Sequence, residues 1–252
     1  MRLTITMVGA LLALGSAAAR ADGAADLKAA LQRLQEPSPL KASLESHVWR
    51  RNGEGKDADE TNGQAGVLIE ENERGMQLNY SREMLARLDA EAQALARNPN
   101  AKTPTLNAAR EFSPTDLRPM ISAARTLSHA LEKASFKSEK PDTYQGKPAR
   151  MLIYAQGIDA LSDRDRKYVK EFDAYLYVWI AADGTPLASR VTQNAYGRAF
   201  IVVTFEAKNE ESDVYALSGN RLVSVRKESR NSASGAGERS EAKIVKTLQL
   251  QP

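Results

Sequence analysis

The chain has 252 residues, no cysteine, and 35 Lys+Arg against 32 Asp+Glu, the two signs interleaved along its length. Those counts exclude disulfides, a thiolate nucleophile, a cysteine-held metal and lipid attachment through a cysteine, so any fold must rest on its hydrophobic core. Without a block of positive charge the sequence also lacks the basic patch or stripe that a nucleic-acid partner requires.

Residues 1 to 21 have the three parts of a cleavable secretory signal. Arg2 is the positive start, Leu3 to Leu14 the apolar stretch, and Gly15-Ser16-Ala17-Ala18-Ala19-Arg20-Ala21 the small-residue tail. Cleavage is expected after Ala21, leaving residues 22–252 as one domain that works in the periplasm as a monomer. The apolar stretch is shorter than the roughly 20 residues a helix needs to cross a bilayer. Later apolar runs are broken by charges such as Asp173 and Arg190.

Leu27, Ala30, Leu31 and Leu34 recur at three and four, which predicts a first amphipathic helix ended by Pro37 and Pro39. The period then changes to two. Over 42–50, Ala42, Leu44, Ser46 and Val48 share one face and Glu45, His47 and Trp49 the other, as in a half-buried strand. The polar segment Asn52 to Gln64 reads as a long hairpin loop, and strands follow at 67–71 and 75–80. Ser81 is an expected N-cap for a helix that stops near Asn98-Pro99.

A loose segment runs to Phe112. Ser113, Pro114 and Asp116 then mark the start of a second central helix, which carries Leu117, Met120, Ile121, Ala124, Leu127 and Leu131, with Pro119 as a possible kink. From residue 134 onward eight short strands are predicted, over 136–144, 148–156, 172–181, 187–195, 198–207, 213–217, 221–228 and 242–249. Asp183-Gly184, Tyr196-Gly197 and Gly219-Asn220 supply turns, and Asn231 to Gly237 reads as a flexible hairpin loop. Short strands at this spacing predict a meandering antiparallel sheet.

The inventory for catalysis is thin. There are two histidines; His129 falls on a polar helix face, and His47 shares a strand face with Glu45, which any two residues two apart on a strand must do. No Gly-x-Ser-x-Gly elbow occurs, and Ser234-Gly235-Ala236-Gly237 follows no apolar strand leading into a helix. Asp57 to Gly63 resembles the opening of a calcium loop, but Asn62 stands where glycine must turn the chain and Leu68 where a bidentate Glu is needed. No enzyme activity, metal or cofactor is therefore expected.

The most informative stretch is apolar on both faces. Phe172, Ala174, Leu176, Val178 and Ile180 alternate with Tyr175, Tyr177 and Trp179, and Phe200 and Val202 repeat the pattern further on. A sheet with one solvated face would alternate with polar residues instead. Either helices simply cap the second face, or a ligand cavity lies between helices and sheet with these aromatic residues lining it.

Two segments, Tyr144-Gln145-Gly146-Lys147-Pro148-Ala149-Arg150-Met151-Leu152 and Tyr175-Leu176-Tyr177-Val178-Trp179-Ile180-Ala181-Ala182-Asp183-Gly184-Thr185-Pro186-Leu187, together with the order of elements, resemble the periplasmic lipoprotein-carrier (LolA-like) superfamily. The resemblance implies an α+β fold: a curved antiparallel sheet forming an unclosed β-barrel, with an N-terminal helix and two central helices covering its concave face. It further implies a carrier or sensor of an apolar ligand such as an acyl chain or lipid, and no catalytic residue. The expected liners are Tyr175, Tyr177, Trp179, Phe200 and Val202. A second reading stays open, in which the core is filled and the surface docks an envelope or membrane protein.

Overall fold

The structure is a computed structural model that describes residues 22–36, 38–199 and 203–251. The expected export signal and the expected liners Phe200 and Val202 lie outside the described residues. Ten antiparallel strands form one open sheet: β1 (Leu40–Asn52), β2 (Asp59–Asn72), β3 (Gly75–Asn79), β4 (Ala134–Tyr144), β5 (Lys147–Gln156), β6 (Val169–Ile180), β7 (Pro186–Ala199), β8 (Val203–Ser218), β9 (Arg221–Gly235) and β10 (Glu238–Leu250). Their order is β3-β2-β1-β10-β9-β8-β7-β6-β5-β4, so the chain meanders from β4 to β10 and then closes onto β1. β3 and β4 are the free edges, and the sheet does not close into a barrel.

The helices are α1 (Gly23–Arg33), α2 (Arg82–Arg97), α3 (Pro104–Ala109), α4 (Pro114–Ile121), α5 (Ala123–Glu132) and α6 (Asp163–Arg166). Their starts follow the capping chemistry of the sequence. The Asp22 carboxylate accepts from the amides of Ala24 and Ala25 at 3.1 and 3.3 Å, and Ser81 Oγ accepts from Met84 N at 3.1 Å. Ser113 caps α4 through Asp116 N at 3.2 Å, and such caps are worth about 1 kcal/mol each. The segment read as loose contains α3, whose free amides at Thr105 and Leu106 donate to the Glu91 carboxylate of α2 at 3.0 and 2.8 Å.

Two apolar clusters hold the helices to the sheet. One joins Leu40, Leu44, Val67, Ile69 and Leu248 to Met84, Phe112, Leu117, Met120 and Ile121. The other joins Leu152, Leu176, Val178 and Ile180 to Leu27, Leu31, Ala124 and Leu127. The single predicted second central helix is two, broken at Ser122 with φ −126° and ψ 48°. The break splits its apolar stripe, so that Ile121 enters the first cluster and Ala124 the second.

Four expectations about strands are corrected. Residues 59–66 are strand β2 paired with β1, not a loop. Asn231 to Gly235 extend β9. Tyr196-Gly197 lies inside β7, and the two strands predicted over 198–207 and 213–217 are one, β8, from Val203 on. In each place glycine, small or polar residues were read as turn or loop signals, yet they serve as strand positions.

Candidate functional site

The aromatic row lies on the opposite side of the sheet from the helices. Strand alternation sends Leu176, Val178 and Ile180 into the helix-bearing cluster, so Tyr175, Tyr177 and Trp179 must face away, where they are half-buried. These three therefore do not line a space between helices and sheet, which corrects the expectation. Their rings run in sequence, Tyr175 to Tyr177 at 6.2 Å and Tyr177 to Trp179 at 6.5 Å, with Tyr144 6.2 Å from Trp179. Trp179 Nε1 donates to Asp142 Oδ2 at 2.8 Å. That bond, followed by one from the Thr143 amide, holds the Asp142 carboxyl below its ordinary range.

On the helix-bearing face, an open space lies beyond α1 to α5, at the end of the sheet where β6, β7, β8, β9, β10 and β1 run on, with Asp165 of α6 in its lining. It is a groove of about 550 Å³ whose lining reaches from Phe172 on β6 to Arg50 on β1, so the sheet curls around it. The register explains its shape. Phe172, Ala195, Ala207, Ala233 and Ser240 stand side by side on five consecutive strands. Three adjacent alanines remove side-chain bulk from the floor and leave a trough.

The next row inward is polar. Gln156, Gln193, Asn209 and Asn231 belong to one register row, in which Gln193 Nε2 donates to Gln156 Oε1 at 3.4 Å and Asn209 Nδ2 donates to Gln193 Oε1 at 3.2 Å. Leu161 and Tyr168 from the connection between β5 and β6, with Val169 at the start of β6, form a wall beside Phe172 and Phe205.

Phe205 is placed by glycines. It pairs with Gly197 on one side and Gly235 on the other, and a Cβ at Gly197 would run into both the Phe205 ring and the Tyr168 carbonyl. The Tyr168 carbonyl accepts from the Arg198 amide at 2.9 Å, which fixes the wall to β7. Gly197 is thus a site of close approach, the second use of glycine in a strand.

Above the groove the same face carries a charged strip. Lys227 Nζ pairs with Glu211 and lies 3.6 Å from Asp213 Oδ2, while Ser224 Oγ donates to Asp213 Oδ1 at 2.5 Å. Burial pushes the Asp213 carboxyl up, more than Lys227 pulls it down. Burial works against the Lys227 ammonium, but Asp213 and Glu211 outweigh it and its pKa is raised. Tyr215, 2.6 Å from Ser189 Oγ, is raised far above its ordinary value, first by burial and then by Asp213. Glu111, in the 3-10 turn before α4, binds Arg50 at 2.6 Å and Lys246 at 3.1 Å.

Chemically, this face offers an apolar trough with neutral amides along one side and a guanidinium at one end. Among the described residues no His–carboxylate pair is aimed into the trough. His47 and Glu45, 3.4 Å apart, sit half exposed on the opposite face. Among the described residues no group of three or more His, Asp or Glu is arranged to hold a metal, and no helix is long and apolar enough to cross a membrane. Sequence reasoning missed Ala195, Ala207, Ala233, Phe205 and Arg50, because only the register brings them together. Compared with known proteins, the chain matches no family model and no curated relative.

Proposed function

We propose that this chain is an exported, periplasmic binding protein that carries or senses an apolar ligand, an acyl chain or lipid, in the groove that lies beyond α1 to α5 on its curved sheet. On this reading it is a LolA-like unclosed barrel whose helices cover the inner face, with the guest held beside them and not beneath them. The observation that carries the proposal is the trough of Ala195, Ala207 and Ala233 walled by Phe172 and Phe205, at about 550 Å³. That volume falls in the range of small-ligand sites, and burial there contributes roughly 0.8 kcal/mol per CH₂.

Gentle purification followed by mass spectrometry of organic extracts is the test, with a fluorescent fatty acid as the probe for empty protein. A co-purifying lipid, or saturable binding of the probe, supports the proposal. Protein that is consistently lipid-free and does not bind the probe refutes it.

A second reading, an envelope interaction module without a ligand, draws on a different observation. Two apolar clusters pack the helices onto the sheet, and the rings of Tyr144, Tyr175, Tyr177 and Trp179 are presented outward. Half-buried Tyr and Trp, apolar in body and polar at the tip, suit a protein interface. Loss of a cross-linked envelope partner on Trp179→Ala, with probe binding unchanged, would favour this module.

A further inference from the structure

The groove is polarised from end to end, and its polarity specifies the head group of its guest. Resting on the reading above, we propose that the ligand is a single-chain amphiphile with an anionic head, bound with the head at Arg50 and the tail toward Phe172 and Phe205.

One end of the groove is mainly apolar, with Phe172, Phe205, Leu161 and Val169 beside Tyr168 and a single carboxylate, Asp165. Five strand spacings away, about 24 Å along the curved sheet at about 4.8 Å each, the lining ends in Arg50 and Asn52. An extended acyl chain laid across the strands passes over Ala195, Ala207 and Ala233 on β7 to β9, then Ser240 on β10 and Asn52 on β1.

The electrostatics favour an anion at the Arg50 end. The other charged groups of the lining already have partners: Lys208 pairs with Glu206 at 2.8 Å, Glu241 with Arg239 at 2.7 Å, and Asp165 accepts from Ser162 Oγ at 2.7 Å. Arg50 has to share its carboxylate. Glu111 gives one oxygen to Arg50 and the other to Lys246, whose side chain is only 7% exposed. Two cations on one carboxylate leave a positive surplus in a partly desolvated place, where it acts at short range with little screening. Arg50 itself is 32% exposed and lines the groove, so a guanidinium edge is available to a head group. A guanidinium recognises carboxylate and phosphate through paired N–H donors, and Asn52, two residues along the same face of β1, adds an amide to this end of the lining.

The experiment displaces a fluorescent fatty acid from the intact protein with palmitate and with the matched sixteen-carbon alcohol. Palmitate is expected to bind about tenfold more tightly, the size of one charge-assisted contact. Arg50→Gln, which keeps a donor for Glu111, is expected to bring the acid down to the alcohol and leave the alcohol unchanged. Single-chain phosphate lipids in the same assay decide between carboxylate and phosphate as the preferred anion.

Equal binding of acid and alcohol by the unmodified protein overturns the head-group assignment while leaving the groove as an acyl site. So does an equal loss of both ligands in Arg50→Gln. Binding of neither ligand overturns the site itself. The comparison in unmodified protein stands even if Arg50→Gln does not fold.

Discussion

One register row crosses the helix-bearing face of the sheet and changes character twice. On β5 and β6 it presents Leu152 and Val178, both sealed under α1 and α5; on β7 to β10 it presents Ser189, Asp213, Lys227 and Lys246; on β1 and β2 it returns to Ser46 and Ala65. The flanks are dry and are held by packing. The middle is held by ion pairs and hydrogen bonds, and the groove lies at its end. The helices therefore do not roof a single cavity: each group seals its own apolar flank, and the strip between them is polar and largely buried.

Cutting volume from a flank has the largest expected effect. Leu176 is 1% exposed in the α1 and α5 cluster, and Leu176→Ala should cost about 3 kcal/mol, read as a lowered urea midpoint. A change below about 1 kcal/mol would mean that the flank is loosely packed. In the strip the corresponding cut is Lys227→Met. It leaves Asp213 and Glu211 without their cation, and breaking a buried pair costs 3–5 kcal/mol; because Lys227 is 17% exposed, about 2 kcal/mol is expected. Adding Asp213→Asn should recover much of that loss, whereas no recovery would show that the three groups do not act together.

Alkali tests the burial of both regions without mutation. Tyr154 is pushed up to about 12 by burial and by the nearby Asp22 and Glu139, Tyr215 is pushed well above its ordinary value, and Lys227 is raised as well. The folded state therefore holds these protons more tightly than the unfolded chain. Their contribution is complete below the ordinary values near 10 and is lost as pH rises toward and past 12. Asp213, also raised, has the same sign in the acid range: it favours the fold at low pH, and that gain fades as pH rises through its folded value. Stability should thus fall above pH 10, with tyrosine ionisation coinciding with unfolding; free titration of Tyr154 and Tyr215 at their ordinary pH would contradict their burial.

The flanks were legible in the sequence and the middle was not. Leu27 and Leu31, or Leu44 and Val48, declare a helix stripe and a strand face because one side is apolar and the other is not. β8 carries Lys208, Asn209, Glu210, Glu211 and Ser212 in succession, a stretch that reads as a break; it stays a strand because Glu211 and Asp213 meet Lys227 across the ladder. Gly63 reads as a loop residue, yet it is a strand position where a Cβ would meet the Pro104 carbonyl of α3. Gly197 and the tract Asn231 to Gly235 misled in the same way, and they contribute to the groove's floor and wall. Places where local signals and the fold disagree are where functional sites are expected, and here the misread residues and the candidate site overlap. The aromatic row was read correctly as a strand with two apolar faces, but which face the helices take depends on packing that no single strand encodes.

The smallest expected effect on stability is also the sharpest test of the groove. Ala207 sits mid-trough between Ala195 and Ala233, half-buried, with open space where a dry flank would have side chains. Ala207→Leu adds volume there, and in a close-packed core such an addition costs about 1–3 kcal/mol. In a trough the new side chain fills space that a guest would occupy, so the stability change should stay within about 0.5 kcal/mol, as at ordinary surface sites. Binding of a fluorescent fatty acid should fall at least tenfold, because the chain can no longer lie along the alanines. A destabilisation of core size would place Ala207 in packed protein, and unchanged binding with unchanged stability would put the guest elsewhere. The paired measurement separates a filled site from an empty one, which a volume alone does not.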